Sequence, residues 1–195
     1  MKGILYGVGV NDANYKITTV DSNGVAVRCK AYIAWANILT RCFSKVEHER
    51  RPTYANTTIC DEWLSFMNFR GWWLSNYVEG YHLDKDLLTD DREYGPESCI
   101  YVPSWINTFT LDCNSTRGDL PIGSYFNKQH GLFYAQCRNP KTGKRESLGR
   151  YATAEQASDV WRSRKLSLSA ELKPSMDLVD SRIYPRVVEI VLRAK

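Results

Sequence analysis

The chain has 195 residues and a mass of 22.4 kDa, enough for one medium domain or two small ones with cores of their own. At 43% hydrophobic and 25% charged residues it has the composition of a folded protein, which excludes extensive disorder, and no run approaches the roughly 18 apolar residues of a membrane span. The net charge of +4 is uneven: residues 1–116 carry 11 Lys+Arg against 14 Asp+Glu, residues 117–195 carry 15 against 8.

A basic half points to nucleic acid or another polyanion, and clustered carboxylates in the other half are what a divalent cation needs. The opening "MKGILYGVGVND" lacks the long apolar run and small-residue cleavage site of a secretory signal, so the expected location is the cytoplasm. The six cysteines are scattered, with no two within four residues of each other. That spacing argues against a zinc knuckle or ribbon and for small apolar core residues in a reducing compartment.

In chain order, the turn "DSNG" is followed by a short strand, "GVAVRC". "AYIAWANILTRCFSKV" then places Ile33, Ala36, Ile38, Leu39 and Cys42 at helical spacing. A polar loop, "EHERRPTYANTT", leads to "CDEWLSFMNFRGWWLSNYV", where Trp63, Phe66, Phe69 and Trp73 form an aromatic stripe read as core, with Asp61 and Glu62 suited to a helix N-terminus. Next come a strand, "YHLDKDLL", a polar turn, a second strand, "SCIYVP", and a short helix, "SWINTFTLD", which Ser104 can cap. "DCNSTRGD" reads as a linker across which the charge changes sign.

Beyond it, "PIGSYFNKQHGLFYAQCRNPKTGKRESLGRYAT" reads as three strands joined by "KQHG" and "NPKTG". Alternation puts Phe133, Ala135 and Cys137 on one face and Tyr134, Gln136 and Arg138 on the other. A helix must cover the first face. "TAEQASDVWRSRKLSLSAEL" supplies it, with a Thr153/Gln156 capping box and an inward stripe of Ala157, Val160, Trp161, Leu168 and Leu172 before Pro174 ends it. Residues 175–195 suggest one more short helix.

The order strand, loop, strand, helix is the arrangement of a ββα-metal nuclease site. There a strand carboxylate and a helix Asn or His hold one divalent ion against the scissile phosphate while a nearby base activates water. "HLDKD…YGPESCIYVPSWIN", with the preceding "WANILTRC" and "CDEWLSFMNFRGWW", resembles the HNH endonucleases of phages and mobile introns. The likeness spans residues 30–110 and implies metal-dependent hydrolysis of a DNA phosphodiester, often by a homing endonuclease. It puts Asn107 on the metal-binding position of the helix. On the strand two registers compete. His82 is the base in one, followed by Asp84; in the other, Asp84 is the metal ligand and Lys85 stands where the base is expected. Periodicity puts His82, Asp84 and Asp86 on one face and Leu83, Lys85 and Leu87 on the other. Asp84 is therefore the expected metal ligand in both registers, with Asp86 assisting and Mg²⁺ the expected ion, Mn²⁺ an alternative.

The C-terminal part is similar to the Apetala/ethylene-response-factor type of DNA-binding domain. Its signature is carried by Gly123, Leu148, Gly149, Tyr151, Thr153, Glu155 and Ala157. That resemblance implies a three-stranded sheet in the major groove of double-stranded DNA, backed by a helix. The exposed face would present Tyr125, Tyr134, Gln136, Arg138, Arg145 and Ser147, with Lys128, Lys141, Lys144 and Arg150 at its margins. The expectation is an α+β protein in three parts. A ββα-metal (HNH) nuclease domain occupies residues 1–114, a small three-stranded antiparallel sheet plus helix DNA-binding domain residues 117–173, and a helical tail residues 174–195. If phage-encoded, it would act in the host bacterial cytoplasm. Two rivals remain: a DNA-binding regulator on an inactivated nuclease scaffold, and a protein-interaction module.

Overall fold

A computed structural model describes residues 3–111 and 118–194. The chain divides into two compact units between Tyr101 and Val102. The expected linker around residues 114–117 lies outside the described residues.

The first unit opens with two hairpins, β1 (Gly3–Leu5) with β2 (Gly9–Asn11) and β3 (Thr18–Val20) with β4 (Ala26–Arg28). At the second turn Asp21 Oδ1 accepts from the N–H groups of Asn23 and Val25, at 2.8 and 2.9 Å, and Gly24 takes φ +80°. Then follow α1 (Lys30–Phe43), α2 (Lys45–Arg50), β5 (Thr58–Ile59), α3 (Phe66–Asn76), β6 (His82–Asp84), β7 (Glu93–Tyr94) and β8 (Ile100–Val102). β5 pairs in parallel with β7, and β6 pairs with β8.

The core of this unit is aromatic. Tyr32, Trp35, Ile38, Leu39 and Cys42 line one side of α1 and pack with Trp63, Phe66 and Phe69. The Trp35 indole N–H donates to the Trp63 carbonyl at 2.6 Å, so burying the ring leaves no polar atom orphaned. Ile33, expected inward, is 43% exposed because Tyr32 and Trp35 set the buried stripe. The supposed loop after α1 begins with α2, for which Ser44 is the cap, accepting from the Glu47 N–H at 3.3 Å. Nor is the aromatic segment one helix. A tight 3₁₀ turn over Asp61–Leu64 ends at Ser65, whose extended backbone restarts the chain as α3. Asp12 fixes this restart by accepting from the Ser65 hydroxyl at 2.7 Å and the Met67 N–H at 2.9 Å. The change of axis lets Trp63 and Phe66 both be buried.

The second unit holds α4 (Ser104–Phe109), β9 (Ser124–Asn127), β10 (Leu132–Arg138), β11 (Arg145–Tyr151), α5 (Ala154–Asp177) and α6 (Ile183–Arg193). Its sheet is antiparallel in the order β11-β10-β9 and packs against helices, so the protein is mixed α+β. Ala135 and Cys137 are each 1% exposed on the packed face, as the alternation predicts. The Thr153/Gln156 capping box forms. Ala157, Trp161, Leu168 and Leu172 face inward as expected, and Val160 is only half-buried.

Two expectations fail here. α5 does not stop at Pro174 but runs to Asp177. The proline removes one hydrogen bond in the last turn, and Met176, fully buried two residues later, holds that turn in place while its carbonyl accepts from Val179 and Asp180, each at 2.9 Å. Ser104 is the first residue of α4 rather than its cap; Pro103 stands at the cap position and no side chain caps the helix. The tail helix forms as α6, burying Ile183, Val187 and Val191. None of the described helices is long and apolar enough to cross a membrane. Cys29, Cys42, Cys60, Cys99 and Cys137 are free thiols.

Candidate functional site

The solvent face of the C-terminal sheet is set by strand register. Tyr125, Tyr134 and Arg150 stand opposite one another across all three strands, Gln136 faces Ser147, and Arg138 faces Arg145. Alternation alone puts Arg150 on the wrong parity for this face. The structure places it there through a bulge: Ala135 opposes Gly149 and Gln136 opposes Ser147, so β11 gains a residue at Leu148 and its parity changes. Gly149, at φ +116°, supplies the backbone freedom. Arg150 is thus a member of the face rather than a marginal residue, and the signal for it was the glycine inside the strand pattern "SLGRY".

The side chains on this face make a ladder. The Tyr125 and Tyr134 rings are 5.3 Å apart, and the Arg150 guanidinium lies 5.2 Å from the centre of Tyr134. The Tyr134 hydroxyl is 2.5 Å from His130 Nδ1, a partner in the β9–β10 turn that sequence reading did not single out. Arg138 and Arg145 face each other with no carboxylate partner among the described residues. Like charges directly opposite are unfavourable in a sheet, and an anion between them reverses the sign. The acidic residue of β11, Glu146, accepts from Arg164 at 2.7 Å and Asn139 at 2.6 Å, and the Arg164 bonds hold its carboxyl down at about 2. Lys128 and Lys144 are exposed in the two turns, and Lys141 lies 3.6 Å from Glu171.

On β6 the burial pattern follows the expected alternation. His82 and Asp86 are exposed and Asp84 half-buried, whereas Lys85 and Leu87 are buried. The strand ends at Asp84, whose Oδ1 accepts from the N–H groups of Asp86 and Leu87 at 2.8 and 2.9 Å. Asp86 therefore sits in the turn beyond the strand. Burial pushes the Asp84 carboxyl above its ordinary range, against the pull of those two N–H bonds. Lys85 pairs with Asp86, and its ammonium lies 5.6 Å from the centre of the Tyr94 ring. Burial raises the Cys42 and Cys99 thiols to about 12, with the Lys85 charge opposing the shift. Asn107 lies on α4, in the second unit.

Among the described residues no three His, Cys, Asp or Glu side chains form a group that could hold a metal. A Mg²⁺ ion, though, is commonly held by one or two carboxylates together with water and substrate phosphate oxygens. Asp84 suits that role, because Oδ1 carries both backbone bonds and Oδ2 accepts none from the described residues.

The buried lysine yields a prediction. Asp86 is exposed enough to be solvated alone, its side chain 74% accessible, so removing the Lys85 charge strands no buried partner. Lys85→Met should leave the unfolding free energy within about 1 kcal/mol of wild type, and Lys85→Ala should lower it by about 2 kcal/mol through the cavity left behind. Urea denaturation checks both, and a loss in Lys85→Met as large as in Lys85→Ala contradicts the argument.

Compared with models of known families, with curated proteins and with solved structures, the chain matches none.

Proposed function

We propose that the protein is a metal-dependent DNA endonuclease of the HNH type, a phage homing endonuclease, which holds double-stranded DNA on the exposed face of β9–β11. The observation that carries the DNA-binding part is the cross-strand pair Arg138 and Arg145, two guanidinium groups with no carboxylate partner among the described residues, beside the Tyr125–Tyr134–Arg150 ladder. Strands of this kind fit the major groove; arginines bond guanine edges or phosphates there, and Gln136 can bond adenine. Lys128 and Lys144 add phosphate contacts.

For the cleavage part, support comes from the exposed side of β6 and from the resemblance to HNH enzymes. His82 would accept the proton of the attacking water, and Asp86 would orient it. Asp84 would hold a Mg²⁺ or Mn²⁺ ion, which would supply charge stabilisation at the phosphate and the leaving oxygen, and Asn107 is named as a ligand by the resemblance alone.

The test has two arms. In a salt titration of duplex binding, Arg138→Ala/Arg145→Ala should flatten the slope of log affinity against log salt by about 2 relative to wild type. An unchanged slope rejects the sheet as the binding face. In the second arm supercoiled plasmid carrying phage DNA is incubated with Mg²⁺, Mn²⁺ or EDTA, and nicking is expected only with metal. A second reading, a DNA-binding regulator that does not cut, is favoured by the inward burial of Lys85. Binding without nicking under either metal selects it.

A further inference from the structure

Apart from the sheet face, the second unit contains a pocket of about 320 Å³ that the proposed function does not use. One wall is the side of α4 bearing Trp105 and Phe109, four residues apart and so stacked one above the other. Ser104, Thr108 and Lys165 also line it, the Thr108 hydroxyl donating to the Ser104 carbonyl at 3.0 Å. The Lys165 ammonium sits 3.6 Å from the centre of the Phe109 ring, and the residue is only 8% exposed. Arg138, Pro140 and Gly143 complete the lining. Arg138 also stands opposite Arg145 in the sheet, so the pocket and the basic face share this residue.

These features fit one kind of occupant. The volume is at the small end of the roughly 300–1,000 Å³ range of organic-ligand sites. It is too large for a lone phosphate, which has no use for aromatic walls, and an arginine in the lining makes a poor site for a purely apolar molecule. A planar, polar-edged ring attached to a phosphate matches the mixed lining: an aromatic surface to stack on, polar Ser104 and Thr108, and an arginine for the phosphate. We infer that the pocket receives one unstacked nucleotide of the bound DNA, its base against Trp105 and its phosphate on Arg138. The inference rests on the proposed DNA-binding function and extends it from the duplex face to an extrahelical base.

The experiment uses the full chain in EDTA, so that the DNA stays intact. Affinities are measured for a fully paired duplex and for the same duplex with one extrahelical nucleotide. Stacking predicts that wild type binds the second at least about fivefold more tightly. Trp105→Ala, and Thr108→Trp, which fills the pocket, should bring the ratio to one while affinity for the paired duplex stays within about twofold. Trp105→Phe, which keeps an aromatic wall, should retain part of the preference and shows that the helix tolerates substitution. With 5-iodouracil at the extrahelical position, ultraviolet light should cross-link the DNA to the peptide containing Trp105 and Phe109. Equal affinity of wild type for the two duplexes, or a preference that survives in both Trp105→Ala and Thr108→Trp, overturns the inference and leaves the DNA-binding proposal standing. Failure to bind either duplex overturns both.

Discussion

Asp84→Asn is expected to reduce metal-dependent nicking by at least about a hundredfold while duplex affinity stays within about twofold of wild type. The substitution separates the backbone role of Asp84 from the metal-binding role proposed for it. Its Oδ1 accepts from the Asp86 and Leu87 N–H groups and so shapes the turn after β6. Asparagine keeps a carbonyl oxygen at that place, so the turn is retained. What it removes is the negative charge, and with it most of the attraction for a divalent ion. Asp84→Ala would confuse the two roles, since losing a capping-type acceptor costs about 1 kcal/mol of stability in its own right. His82→Ala and Asn107→Ala extend the series: if His82 is the general base, its removal lowers the rate by roughly 10²–10⁴-fold, and Asn107→Ala tests the ligand that the resemblance names. Plasmid nicking and gel-shift affinity, measured on the same preparations, give the result. Cleavage by Asp84→Asn at the wild-type rate would remove Asp84 from the chemistry, and an inactive wild type that still binds DNA would select the non-cutting regulator.

How much of this was legible in the sequence depended on whether the local pattern was short-range. The alternation of β10 fixes its buried face without reference to any other strand, because successive side chains must point opposite ways. The Thr153/Gln156 capping box is equally local, since both partners lie within one turn. Arg150 was harder to place: its face depends on the extra residue at Leu148, and the bulge becomes visible only when β11 is set against β10. The Ser65 break between the 3₁₀ turn and α3 is another non-local outcome. Helical spacing of Trp63, Phe66 and Phe69 suits a continuous helix, and Asp12, 53 residues before Ser65, provides the alternative by bonding its hydroxyl. Just past β6, parity put Lys85 on the face of Leu83 and Leu87, but neither its burial nor its place beside Tyr94 followed from that, because Tyr94 belongs to the β5–β7 pairing.

The C-terminal unit should be most sensitive to a change at Gly123, a residue of the signature on which the sequence likeness rests. Gly123 has φ +82° and leads into β9, and its carbonyl accepts from the Gln136 N–H at 3.2 Å, tying that entry to β10. A Cβ built on it would meet Trp161 Cγ at 2.0 Å and Trp161 Cβ at 2.4 Å. Trp161 is 7% exposed in the middle of the α5 stripe, so it cannot swing into solvent without opening the core. Gly123→Ala therefore adds overpacking, about 1–3 kcal/mol, to left-handed backbone strain of about 1–2 kcal/mol. A loss near 3 kcal/mol is a large part of the ~5–15 kcal/mol that holds a domain folded. Gly131→Ala is the control: at φ +64° with nothing within 4 Å of the added carbon, it carries the backbone strain alone. Hydrogen exchange separates the outcomes. Protection of the β10 amides should collapse in Gly123→Ala and fall only slightly in Gly131→Ala, with the α1 amides of the first unit unchanged in both. Equal losses in the two variants would mean that the indole yields to the new methyl group, and that close packing of Gly123 on Trp161 is not what holds the sheet against its helix.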